Sequence, residues 1–213
     1  MSSPSVRTTG LGLAAIGAVL LANGAWYSPI MFSADPSVRL SEYGGELPFR
    51  LYYYVYLAVL AAFVVIVPRL DHLRGSSQLT LPRWVVPLLL VTTVLQAGTV
   101  YAQAFIVPFL AEVAPVALDH AEIELFAISM MVIWSAFSLA LVALATTGAL
   151  RRVVPVPAAV MIGVGALAVP ILGPAGSILI GGGLLFWAMA RVLRSPSPVQ
   201  PVVPSASPEP VRA

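Results

Sequence analysis

Five stretches of this chain run for eighteen residues or more without an Asp, Glu, Lys, Arg or His: 10–34, 51–68, 84–111, 125–150 and 153–190. A bilayer core of about 30 Å is crossed by roughly 20 helical residues, so each of the first four stretches fits one passage. The fifth is nearly twice too long. Its centre carries Gly173-Pro174-Ala175-Gly176. Gly ends a helix readily and Pro suits the first position of the next, so the segment reads as a tight turn between two antiparallel helices. The sequence therefore predicts an all-α, polytopic transmembrane bundle of six helices, with spans near 10–33, 51–68, 84–111, 124–149, 153–172 and 174–193. These form one domain, 1–194. Composition agrees, because 59% of residues are hydrophobic and 9% charged, against about 25% charged in soluble domains.

The first span is longer than a signal-peptide core, and Ala22-Asn23-Gly24-Ala25 lacks a small-x-small cleavage pattern, so it is expected to be a retained helix. With six spans, the connections alternate sides. One side collects Arg7, Arg69, Arg74, Arg83, Arg151, Arg152, Arg191, Arg194 and Arg212; the other holds Arg39 and Arg50. Arginine-rich connections are retained in the cytoplasm, which predicts a plasma (inner) membrane protein with both termini cytoplasmic. Trp26, Tyr27 and Tyr52-Tyr53-Tyr54 fall at the expected outer interface, and Trp84 and Trp187 toward the inner one. The segment 195–213 has six prolines in nineteen residues and is expected to be a disordered, partly polyproline II tail.

The contents of the spans narrow the function. No cysteine and no lysine is present, which excludes disulfides, thiolate chemistry and Schiff bases. None of the five stretches holds an ionisable residue of the kind that proton relays and ion-coupled carriers place at depth, and the only histidines, His72 and His120, lie in connections. No cofactor is implied. The net charge of +2 comes from arginines scattered over span ends instead of one basic face, so nucleic acid is not an expected partner. The expected partners are the lipid bilayer and either another membrane protein or a second copy of the chain. Gly10, Ala14, Ala18 and Ala22 would give span one a smooth packing seam, and Ala159 with Gly163 and Ser177 with Gly181 would do so in the last two spans.

Thr92, Gln96, Thr99 and Gln103 lie within about 60° of one another on a helix and form one polar stripe on span three. Asn23 reaches a similar depth in span one. An amide without a partner in hydrocarbon costs several kcal/mol, so Asn23 and Gln96 must face protein or water. One reading has them bonding to each other or to nearby backbone and holding spans one and three together. The other has Asn23, Gln96, Thr99 and Gln103 bordering a polar ligand cavity, with Tyr56 and Ser129 or Ser135. Outside the spans, Asp119, His120 and Glu122, with Glu112 and Glu124 nearby, could hold a divalent cation or act as acid and base. Asp119 and Glu122 also fit an N-cap for span four, and acids there favour the helix dipole.

The stretch from Tyr101-Ala102-Gln103-Ala104-Phe105-Ile106-Val107-Pro108 through Glu112-Val113-Ala114-Pro115, and the connection Arg151-Arg152-Val153-Val154-Pro155, resemble patterns in uncharacterised small multi-helix membrane proteins of actinobacteria. That resemblance implies a six-helix bundle in a bacterial plasma membrane, and it carries over no catalytic or binding residue. Three functions follow as expectations. The first is a non-catalytic membrane component that binds an apolar or amphipathic ligand or is accessory to a membrane complex. The second is an uncoupled permease for a small neutral solute, and the third an outer-face enzyme using the Asp119, His120 and Glu122 cluster.

Overall fold

A computed structural model describes residues 4–33, 39–74, 80–119 and 124–193. Among these the chain is helical and contains no strand. Helix α1 (Pro4–Ser33) is followed by the short α2 (Leu40–Tyr43) and by α3 (Leu47–Ile66), which tightens into a 3-10 turn over Val67–Arg74. Next come α4 (Val85–Tyr101), a π-helical segment (Ala102–Ile106), α5 (Val107–Val113) and α6 (Pro115–Leu118). The chain then forms α7 (Glu124–Leu150), α8 (Val156–Leu172) and α9 (Pro174–Leu193). The expected tail, 195–213, lies outside the described residues.

Five segments are long and apolar enough to cross a membrane: Arg7–Ser33, Leu47–Leu70, Val85–Val113, Ile128–Leu150 and Pro174–Val192. The sixth apolar helix, Val156–Leu172, has 17 residues and spans about 26 Å at 1.5 Å per residue. Its outer face resembles those of the others: Val160, Val164, Leu167 and Ile171 are exposed, as are Leu88, Val91 and Leu95 on α4 and Val132 and Leu139 on α7. Water would penalise an apolar surface of that extent, whereas hydrocarbon would not.

The six long helices form a closed ring in which α1 touches α3, α3 touches α4, α4 touches α7, α7 touches α8, α8 touches α9 and α9 returns to α1. The α8–α9 turn is as short as a turn can be. Gly173 has φ 51°, a left-handed value that a Cβ would strain, and Pro174 opens α9 directly. Helix α9 is clamped on two sides by backbone-to-backbone contact. A Cβ placed on Gly181 would lie 2.6 Å from the Gly17 carbonyl oxygen, and one on Gly176 would lie 2.7 Å from that of Gly165. Only glycine permits so close an approach. Gly17 and Gly24 carry the α1 side of the seam, not the expected Gly10, Ala14, Ala18 and Ala22, because Ala18 and Ala22 face outward.

At one end of the ring, the Arg191 guanidinium donates to the Arg152 carbonyl at 2.8 Å and the Val153 carbonyl at 2.6 Å, fixing the α7–α8 connection against the end of α9. At the other end, α2 packs on α5 and α6. There the Asp119 carboxylate accepts from the Ser41 backbone N–H at 3.1 Å and from the Ser41 hydroxyl, and Arg50 pairs with Glu112.

Candidate functional site

The α2 end of the ring encloses a pocket of about 580 Å³. That volume lies within the range of ligand sites, roughly 300–1,000 Å³. Its walls come from six directions: Tyr27 and Met31 of α1, Tyr43 of α2, Phe49, Tyr52 and Tyr53 of α3, Gln103 of the π segment, Met130 and Trp134 of α7, and the Pro170–Pro174 turn. The aromatic walls are continuous. Tyr27 stacks on Tyr52 with ring centroids 4.4 Å apart, Tyr52 meets Tyr53 edge-on at 4.9 Å, Tyr53 meets Phe49 at 4.7 Å, and Phe49 meets Tyr43 at 5.7 Å. Across the ring interior, Tyr56 of α3 meets Trp134 of α7 at 5.8 Å. Such pairs fix ring orientation as well as burying area.

Besides its tyrosine hydroxyls, the lining holds two polar side chains, Gln103 and Glu46. The Gln103 side-chain amide donates to the Met130 sulfur at 3.0 Å, a weak acceptor that leaves the amide oxygen available. Glu46 stands exposed at the rim. Tyr43 lies beside it among the lining residues. Burial pushes its phenol above the ordinary value of 10.0, so it stays a neutral donor at physiological pH.

Gln103 lies at the start of the π segment, five residues before Pro108. The proline ring clashes with the carbonyl four residues back and it has no N–H to donate. The chain relieves the clash by widening one turn: the Val107 N–H bonds to the Ala102 carbonyl, five residues back. That π turn shifts the register of the residues beyond it. Gln103, the second residue of the segment, stands about two turns past Gln96, at the level of the pocket.

The remaining members of the stripe stay out of the pocket. Thr92 and Thr99 bond to carbonyls of their own helix, Thr99 to Gln96 at 2.8 Å and Thr92 to Leu88 at 2.9 Å. Gln96 is 0% exposed, and neither its amide nitrogen nor its oxygen has a partner among the described residues. Asn23 donates to the Tyr52 carbonyl at 3.1 Å. It therefore ties span one to span two, not to span three, and Gln96 does not meet it. Tyr56 is buried against Trp134 without lining the pocket, and Ser129 and Ser135 are exposed.

Asp119 is engaged by Ser41, holding the N-terminal turn of α2; the residues it was expected to cap, just ahead of α7, lie outside the described ones. Glu112 pairs with Arg50. His120 and Glu122 lie outside the described residues, and among those described no group of three His, Cys, Asp or Glu side chains gathers as a metal site would.

Several aromatic residues assigned to the interface by their depth turn out to point inward. Tyr52 is 2% exposed, Tyr27 7% and Trp187 0%, whereas Trp26, Tyr54 and Trp84 do reach the surface. The sequence reading missed the pocket for this reason. The run Tyr52-Tyr53-Tyr54, with Phe49 one turn before it, was the available signal, because three successive residues on a helix cannot all face lipid. Comparison with family models, with curated proteins and with solved structures gives no match for this chain.

Proposed function

We propose that this chain is a six-span plasma-membrane protein with both termini cytoplasmic, and that its pocket binds an amphipathic ligand near the outer face without chemical turnover. The observation that carries this reading is the aromatic pocket itself: about 580 Å³, apolar on most sides, with Gln103 and Glu46 as its polar points. A mixed lining of that kind suits a molecule with an apolar body and one polar end.

The place of α8 in the ring between α7 and α9 supports counting it as the sixth span. Its 17 residues fall at the short end of the spanning range of about 17–25. Arginine sorting supports the orientation, since Arg39 and Arg50 are alone on the pocket side. Cysteines introduced singly test it in a chain that has none. A membrane-impermeant maleimide applied to intact cells should label Glu42→Cys and spare Thr80→Cys; the reverse pattern would invert the topology.

Ligand binding is tested by retention. Protein purified in mild detergent should carry a bound lipid or other amphipath detectable by native mass spectrometry. Met131 lines the pocket and is 66% exposed, so Met131→Trp should fill the mouth without disturbing the core. Reduced retention in this variant is the expected result. Equal retention in both proteins would remove the pocket as the binding site.

A further inference from the structure

We propose that the ligand is a lipophilic monovalent cation, with Glu46 as its counter-charge and the Tyr and Trp faces as its walls. This rests on the pocket being a ligand site, and it adds the sign of the ligand's charge. Glu46 is the one ionisable carboxylate among the lining residues, and no Arg or His lines the pocket. The chain has no lysine at all. An anion entering here would meet a carboxylate and no counter-charge.

A cation meets the opposite conditions. Tyr27, Tyr43, Tyr52, Tyr53 and Trp134 line one space, and the quadrupole of an aromatic face attracts a cation, most strongly where water is excluded. Met31, Met130 and Met131 add polarisable sulfurs that adapt to an apolar body.

The two arginines of this end do not neutralise the site. Arg50 is paired with Glu112. Arg39 lines a separate hollow with Ser41, Glu42 and Asp119. The carboxylate of Glu46 therefore stands at the rim with no basic partner among the described residues, where an incoming charge would pass it. A permanent or protonated ammonium, or a phosphonium with bulky apolar substituents, has the required chemistry.

Two ions of nearly identical shape and opposite charge make the test. Tetraphenylphosphonium and tetraphenylborate are titrated separately by equilibrium dialysis onto the full chain in lipid nanodiscs, and binding to empty nanodiscs is subtracted. The expected result is saturable phosphonium binding at least ~10-fold tighter than borate binding. Met131→Trp should abolish it. Glu46→Gln should weaken it by about 3- to 5-fold, as befits a partly solvated charge, and Glu46→Asp should restore most of the loss.

Borate binding as tight as phosphonium, or Glu46→Gln without effect, would overturn the assignment of charge. The pocket would still stand as a ligand site if Met131→Trp blocked both ions. Binding of neither ion would also overturn the cation. The lipid-retention measurement would then decide separately whether the pocket binds anything.

Discussion

The middle of the α1–α9–α8 sector and the α2 end of the same helices solve opposite problems. In the middle, Gly17 and Gly181 bring backbones into contact, as Gly165 and Gly176 do nearer the α8–α9 turn, and they leave no room for any added carbon. At the end, Tyr27, Tyr52, Tyr53 and Trp134 hold the helices apart and leave a pocket of about 580 Å³. Proline placement follows the same division. Pro29 and Pro170 sit near the ends of α1 and α8 at that end, and Pro108 follows the π segment at the start of α5; each lacks a helical N–H and loosens the ladder. Where lipid offers no hydrophobic drive for association, side-chain size sets helix separation.

The largest effect should come from breaking the contact region. Gly181→Leu drives a side chain into the Gly17 carbonyl and the Leu21 backbone, with the nearest atom 2.5 Å from its Cβ. It should cost more than about 3 kcal/mol and leave little monodisperse protein on size exclusion. Gly98 is the control, because a Cβ there meets nothing within 4 Å. Gly98→Ala should be neutral or stabilising by up to ~1 kcal/mol through helix propensity. Similar losses in both variants would mean that glycine serves these helices for some reason other than close approach.

The next test asks whether the polar groups between the two regions act as glue. Gln96→Leu should stabilise the protein, by about 1 kcal/mol, because a buried amide with no partner carries an uncompensated desolvation cost. Asn23→Leu should have the opposite sign. It removes a bond to the Tyr52 carbonyl, and such interhelical bonds average about 0.6 kcal/mol in membranes. Equilibrium unfolding in mixed micelles reads both. Destabilisation by Gln96→Leu comparable to that of Asn23→Leu would show that the amide is bonded, through water for example, and that the interior is wetter than its burial implies.

The helices were legible from the sequence because long charge-free runs have few alternatives, and the α8–α9 turn because Gly173-Pro174 can hardly be anything else. Their facing was not. A helix that is apolar all round has no polar stripe to mark its outside, so of the four small residues in register Gly10 and Ala14 face inward but Ala18 and Ala22 face outward, while the seam with α9 runs through Gly17 and Gly24. Of the polar stripe, Gln103 lines the pocket while Thr92, Gln96 and Thr99 stay out of it, because helical spacing gives the angle of a residue but not the depth at which the ring opens. The pocket was hidden for a third reason. Its lining runs from Tyr27 to Pro174, and only closure of the ring brings those residues together.

The smallest expected effect lies at the rim, where α3 meets α5 through Arg50 and Glu112. Their side chains are 29% and 61% exposed, so water and salt screen the pair and Arg50→Gln should cost only about 0.5 kcal/mol, less at high ionic strength. Its consequence for ligand binding should be larger than for stability. Freeing the Glu112 carboxylate adds a negative charge to the same end of the molecule as Glu46, so phosphonium affinity should rise slightly and the gain should vanish in high salt. A fall in affinity would place Arg50 among the groups that shape the pocket mouth, and the separation of rim from pocket would then have to be redrawn to include it.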